Sequence, residues 1–275
     1  MPIGGHMSND QEARKAQTIT LFNALSSDYD SGAACFAHFG RRLVDVADIN
    51  AGARVLDIAT GRGAVLFPAA ERVGAGGEVI GVDLADAMAH ATSEEAARRG
   101  LKARVSVMDA EELTFPDEVF DFVTCGFGIM FFPDQDRGLA QMRRVLKPGG
   151  CLAISTWKVA QGADLHPVLK EIGIVPNREP GWITEPDILE ALIHRNGFTD
   201  ISVKMDSMDF RYADAEDVWQ TARGTGMRRR LDRLDATQKK QALSLFTERM
   251  KPHQRDDGYY LRATALLAVA KSSRA

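Results

Sequence analysis

The sequence predicts an α/β fold of the doubly wound kind: a mostly parallel sheet of seven strands with helices on both faces. Three observations predict it. From Ala53 onward, short apolar runs alternate with helical stretches, the pattern of strands buried on both faces and joined by crossover helices. The first run, ARVLDI, opens into a glycine-rich turn, Ala59-Thr60-Gly61-Arg62-Gly63, ahead of a helical stretch. Three successive runs each finish at a carboxylate, Asp57, Asp83 and Asp109.

Taken in order, residues 11–27 and 33–48 read as helices. In the second, Phe36, Phe39, Leu43 and Val46 recur at spacings of three and four and make one apolar face. Residues 8–50 are therefore expected to form an N-terminal helical cap. Strands follow at 53–58, 78–82, 103–108, 120–125 and 150–156, with helices at 63–73, 86–99 and 134–146. Lys147-Pro148-Gly149-Gly150 stops the last of these helices. The run 158–185, with Pro167, Pro176 and Pro180, reads as a long loop holding a helical turn or two. A helix at 186–196, a strand at 199–205, a charged and mostly helical stretch at 214–250 and a strand at 261–270 complete the chain. The expected core is thus 51–205 and 259–275. The helical insertion 206–258 would lie over the carboxyl edge of the sheet as a lid, with Gly224, Gly226 and Gly258 as hinge points. The opening MPIGGHM, residues 1–7, reads as a cloning remnant, so His6 is left out of any site.

Composition narrows the function. The chain of 275 residues suits one α/β domain with elaborations. A net charge of −4 gives no sign of the basic face that a nucleic-acid partner requires, so none is expected. No apolar run approaches the roughly 18–20 residues that span a bilayer. With no export signal, the reading is cytoplasmic. Cys35, Cys125 and Cys151 are odd in number and lack C-x-x-C spacing, so neither a disulfide frame nor a metal site is expected. The expected partner is a small molecule, and the oligomeric state stays open between monomer and homodimer.

A glycine turn after a strand brings backbone close to a ligand, although a tight turn without a ligand is the plainer alternative. A dinucleotide fingerprint, G-x-G-x-x-G, would need a third glycine where Leu66 stands. Asp57 would also repel a pyrophosphate, whereas it suits a ligand carrying an ammonium and a sulfonium. Asp83 stands twenty residues beyond Gly63, about the spacing at which a carboxylate accepts from both ribose hydroxyls. At the third strand end, Asp109 could accept from an adenine amino group while the Ala110 N–H donates to the ring.

These segments, V-L-D-x-A-x-G-x-G, G-V-D-L-x-x-x-M, D-A-E-E-L-x-F-P-D-x-x-F-D and R-R-V-L-K-P-G-G, resemble the motif series of class I S-adenosylmethionine-dependent methyltransferases. The nearest likeness is to the ubiquinone/menaquinone-biosynthesis C-methyltransferase group, helped by a leading helix that ends at Asp28-Tyr29-Asp30. The likeness runs from about residue 18 to residue 157. It implies a Rossmann-like class I methyltransferase fold with its last strand antiparallel, S-adenosyl-L-methionine as cofactor and S-adenosyl-L-homocysteine as product. Asp57, Ala59, Gly61 and Gly63 would line the methionine moiety; Asp83 and Leu84 would hold the ribose, with Met88 beside it. Asp109 and Ala110 would read the adenine, Cys125, Gly126 and Phe127 would lie beneath the cofactor, and Tyr29 would close over its carboxylate end. Ala59 departs from the glycine usual there, and is expected to keep a negative φ. Cys125-Gly126-Phe127-Gly128 replaces the Asn- or Asp-Pro-Pro-Tyr of amide and exocyclic-amine methyltransferases.

The acceptor is less legible. A base is needed only where the acceptor must lose a proton. His166, in the loop after the fifth strand, and His38, on a helix that could cap the cleft, are the candidates; His90 and His194 read as surface residues. Phe127, Met130, Phe131 and Phe132 would form an apolar acceptor wall or pack in the core. Arg228-Arg229-Arg230 would bind an acidic acceptor or lie on a solvated helix face. The expected activity is methyl transfer to a C, O or N atom of a largely apolar small molecule, possible rivals being a regulatory module that binds the cofactor and an enzyme that uses it for a step such as cyclisation.

Overall fold

The computed structural model describes residues 9–29, 34–160, 165–174 and 181–273. The expected remnant at 1–7, Asp30, Pro176 and Pro180 lie outside the described residues. Two helices lead, α1 (Asn9–Leu25) and α2 (Cys35–Ala47). The alternating part runs β1 (Arg54–Ile58), α3 (Leu66–Val73), β2 (Glu78–Asp83), α4 (Asp86–Arg98), β3 (Ala103–Val107), β4 (Phe120–Gly126), α5 (Gln135–Val145) and β5 (Leu146–Val159), with a 3-10 turn at Ile129–Phe131. Then come α6 (Leu165–Glu171), α7 (Pro186–Arg195), β6 (Phe198–Tyr212), α8 (Ala215–Arg223), α9 (Arg228–Leu231), α10 (Ala236–Met250), β7 (Gln254–Arg255) and β8 (Gly258–Ser272).

The strands lie in the order β3-β2-β1-β4-β5-β8-β6, with the two-residue β7 added on β8, which makes eight strands where seven were expected. Strands β1 to β5 are parallel, and β8 runs antiparallel between β5 and β6. The order reverses between β1 and β4, so a crevice opens at their carboxyl ends, where open α/β sheets bind ligands. The central strands are largely apolar because helices cover both faces: Val55, Leu56 and Ile58 are fully buried. On one face α2 lays Phe36, Phe39 and Leu43 into the same apolar cluster as Trp157 of β5.

Three boundaries differ from expectation, each for a physical reason. Helix α3 begins at Leu66 rather than 63, because Gly61 and Gly63 have φ of 51° and 81° and cannot join a right-handed helix. Strand β5 begins as soon as α5 ends, taking in the Pro-Gly-Gly turn as an irregularity against β4. Strand β6 runs on to Tyr212, so residues 206–212 belong to the sheet and the expected insertion starts beyond them. Side-chain pairs opposite one another on β6 and β8 fix that register: Ser207 with Thr264 at 2.9 Å, and Asp209 with Arg262 at 2.8 Å.

The segment carrying α8 to α10 is anchored in the core. Trp219 and Phe246 are buried in the cluster that holds Phe36, Phe39 and Trp157, and Arg249 of α10 meets Glu171 of α6 at 2.6 Å. Two of the three expected hinge glycines serve close packing: a Cβ on Gly224 would meet the Asp28 carbonyl at 2.9 Å, and one on Gly258 the Tyr212 carbonyl at 2.5 Å. Among the described residues no helix is long and apolar enough to cross a membrane.

Candidate active site

The site starts from the turn after β1. Ala59 has φ of +53°, contrary to the expected negative value, so an alanine holds a left-handed conformation that favours glycine. Its Cβ would stand 2.5 Å from any Cβ on residue 128, which is glycine. Hydrogen bonds fix the turn on every side. Thr60 N–H donates to the Val82 carbonyl at 3.0 Å and Gly63 N–H to the Thr60 carbonyl at 2.8 Å. The Gly61 N–H donates to Asp83 Oδ2 at 2.8 Å, and its carbonyl accepts from Thr92 Oγ1 at 2.6 Å.

The three carboxylates occupy three different environments. Asp57 is 1% exposed and accepts from Thr60 Oγ1 at 2.6 Å and Thr124 Oγ1 at 2.7 Å. Burial pushes its pKa up to about 6, against the opposing pull of those hydroxyls. Asp83 accepts from the Gly61 and Ala85 N–H groups, the second at 2.9 Å. Burial raises its pKa too, with the backbone donors opposing. A carboxylate offers about four lone pairs, and with the Leu84 N–H also directed at it Asp83 keeps room for a ribose hydroxyl. Asp109 accepts from the Glu111 N–H at 2.8 Å and from Lys15 Nζ at 2.6 Å, and Lys15 also meets Glu111 at 2.7 Å. Burial pulls the Lys15 ammonium down, but its bonds to the two carboxylates outweigh that and hold its pKa above the ordinary 10.5.

An open cavity runs along these strand ends, with Asp83, Leu84, Asp109 and Ala110 on one side and Gly126, Phe127, Phe131 and Phe132 on the other. Lys15, Thr18 and Phe22 of α1 cover it. A second cavity adjoins it at Ala59, Gly61, Tyr29 and Phe127 and is floored by Asp57. The aromatic wall is continuous. Phe22 meets Phe131 edge-on at 4.9 Å, Tyr29 stacks on Phe36 at 4.9 Å, and Phe127 stacks on Trp157 at 4.0 Å. Phe127 itself has φ of +54°, the second non-glycine residue in that region on the cavity wall.

Most of the expected residues therefore meet here: Tyr29, Asp57, Ala59, Gly61, Asp83, Leu84, Asp109, Ala110 and Phe127 all line the two cavities. Gly63 lies one step away, tight against the Phe67 ring. Met88 packs under α1 with Leu21 and Leu25. Cys125 lies fully buried beneath the wall, its thiol pushed up to about 12 by burial and by the Asp57 charge. Met130 packs in the core while Phe131 and Phe132 line the cavity. Neither proposed base is brought to it. The His38 ring stands edge-on to Phe210 of β6 at 5.8 Å, and His166 rides on α6, whose Leu165, Val168 and Leu169 pack in the core. Arg228 donates to the Ala24 carbonyl at 2.7 Å and meets Asp28 at 3.1 Å, fastening α9 to α1. Lys15, Thr18 and Phe22 went unnoticed in the sequence, although their spacing of three and four puts them on one face of a helix.

A methyltransferase domain family matches residues 55–150. The chain is 44% identical over 144 residues to the aklanonic acid methyltransferase DauC of Streptomyces sp. (strain C5), covering 52% of this chain and 66% of that protein. It is 41% identical over 160 residues to the nocamycin O-methyltransferase of Saccharothrix syringae, covering 58% and 55%. It is 33% identical over 171 residues to the ubiquinone/menaquinone biosynthesis C-methyltransferase UbiE of Idiomarina loihiensis, covering 60% and 68%. The chain thus spans between about half and two thirds of the length of these relatives. In fold it is similar to the YcgJ protein of Bacillus subtilis, with a TM-score of 0.61 and 22% identity over 86% of this chain and 100% of that one. It is also similar to the cyclase SpnF, with a TM-score of 0.58 and 18% identity over 99% and 98%. The chain belongs to the class I S-adenosylmethionine-dependent methyltransferases, in their UbiE-like group.

Proposed function

We propose that this protein transfers a methyl group from S-adenosylmethionine to a small, largely apolar acceptor of polyketide or quinone type, through a C, O or N atom. One observation carries it: carboxylates at the ends of three neighbouring strands face a cavity whose opposite wall is aromatic. Bound there, S-adenosylmethionine supplies an electrophilic methyl group on a sulfonium. The residues fit it. Asp57 would set a negative charge under the methionine end, Asp83 would accept from a ribose hydroxyl, and Asp109 with Ala110 would receive the adenine. The chain's own contribution is orientation and exclusion of water: Phe127, Phe131 and Tyr29 would hold the acceptor in line with the sulfonium, where positioning supplies most of the acceleration. The names of the relatives, an aklanonic acid methyltransferase, a nocamycin O-methyltransferase and a ubiquinone/menaquinone biosynthesis C-methyltransferase, favour such a compound. The test supplies methyl-labelled donor with a panel of aromatic polyketide acids and hydroquinones. Label in the acceptor is the expected result; an altered acceptor without label would overturn it.

A further inference from the structure

Helix α1 crosses the rim of the cavity, and its Lys15 is placed there at a price. The side chain is only 8% exposed, with the ammonium 2.6 Å from Asp109 Oδ2 and 2.7 Å from Glu111 Oε2. Burying a lysine surrenders hydration and rotamer freedom, which packing alone does not return. Both partners are themselves pinned. Asp109 Oδ1 accepts from the Glu111 N–H at 2.8 Å, and Glu111 Oε1 accepts from the Asp134 N–H at 2.9 Å. The ammonium therefore joins two carboxylates whose directions are already partly set, and fixes the remaining freedom of Asp109. With one bond taken on each oxygen, that carboxylate keeps lone pairs for one more donor in the cavity. The rest of α1 has its own anchors. Asn23 donates to Asp86 at 2.6 Å and accepts from the Ala87 N–H at 3.1 Å, while Leu25 is buried with Met88.

We propose that Lys15 is a positioning residue of the nucleoside site, holding Asp109 in the orientation that accepts the exocyclic amino group of an adenine and closing α1 over the base. It rests on the placement of adenine at Asp109 made above. Without the ammonium, water enters at that end and competes for the carboxylate, so the site loses its preference for an amino group as well as affinity.

The test titrates S-adenosylhomocysteine and S-inosylhomocysteine, whose ring carries an oxo group in place of the amino group, into wild type, Lys15→Met and Lys15→Arg. Wild type should prefer the adenine compound by about tenfold to a hundredfold, the span of one hydrogen bond to a charged group. Lys15→Met, similar in length and apolar, should bind it about tenfold more weakly and narrow the preference to below about threefold. Lys15→Arg should retain most of the preference. Lys15→Gln carries the same test if the methionine variant does not fold. A folded Lys15→Met with the wild-type preference, even at evenly lowered affinity for both compounds, overturns the role of Lys15. A wild type that does not discriminate overturns the placement of adenine at Asp109 itself, and the proposal with it.

Discussion

Asp57→Asn removes one charge from the floor of the cavity and leaves its shape. The residue is 1% exposed, and its folded pKa of about 6 lies above the ordinary 3.8. The folded state therefore favours the protonated form: the contribution to stability is intact below about pH 4 and turns into a penalty as the pH rises through about 6. A gap of about two units corresponds to about 3 kcal/mol. The amide is isosteric, and the Thr60 and Thr124 hydroxyls can donate to its oxygen or accept from its nitrogen. Without cofactor, the variant should melt about 5–10 °C above wild type at about pH 7.5, with the gap closing between about pH 6 and pH 4. Cofactor affinity should move the other way, and S-adenosylmethionine, with its sulfonium charge, should lose more than S-adenosylhomocysteine. Scanning calorimetry across pH and titration with both compounds measure this. A variant that melts at or below wild type at neutral pH, or weakens both compounds equally, refutes the reasoning.

Four further outcomes follow from the same geometry. Asp83→Ala should weaken S-adenosylhomocysteine at least about tenfold by calorimetry, through the loss of hydrogen bonds from the ribose. Ala59→Gly should relieve about 1 kcal/mol of left-handed strain, read as a raised melting temperature with cofactor affinity unchanged. Phe131→Ala should raise the acceptor KM several-fold more than it changes cofactor affinity, once an acceptor is in hand. His38→Ala should leave kcat within about threefold, because its ring faces Phe210; a loss of about a hundredfold would restore it as the base.

The strands around the site were legible because a buried parallel strand has little choice but to be apolar, and the turn after β1 carries its glycines where φ is positive at Gly61 and Gly63. Asp57 and Asp83 were legible because each stands at the end of such a strand, and Asp109 because it follows the edge strand β3 at the same edge of the sheet. What escaped reading depends on partners far away in the chain. Lys15 meets Asp109 across 94 positions, so the spacing that puts it on one face of α1 does not tell that this face covers a cavity. The extension of β6 to Tyr212 rests on Thr264 and Arg262 opposite Ser207 and Asp209, which makes a polar stretch a strand. The positive φ of Ala59 depends on Gly128 leaving space for its Cβ. Nothing local to His38 or His166 tells what surrounds it: packing of α2 against β6 and of α6 in the core turns the two away from the cavity.

The central claim is that the three strand-end carboxylates receive a cationic adenosyl donor and not a dinucleotide. Titration calorimetry of the intact chain with S-adenosylhomocysteine and with NAD tests it most directly. The account predicts binding of the first with an affinity on the order of micromolar, together with a raised melting temperature, and neither effect with NAD. Binding of NAD without binding of S-adenosylhomocysteine would contradict it.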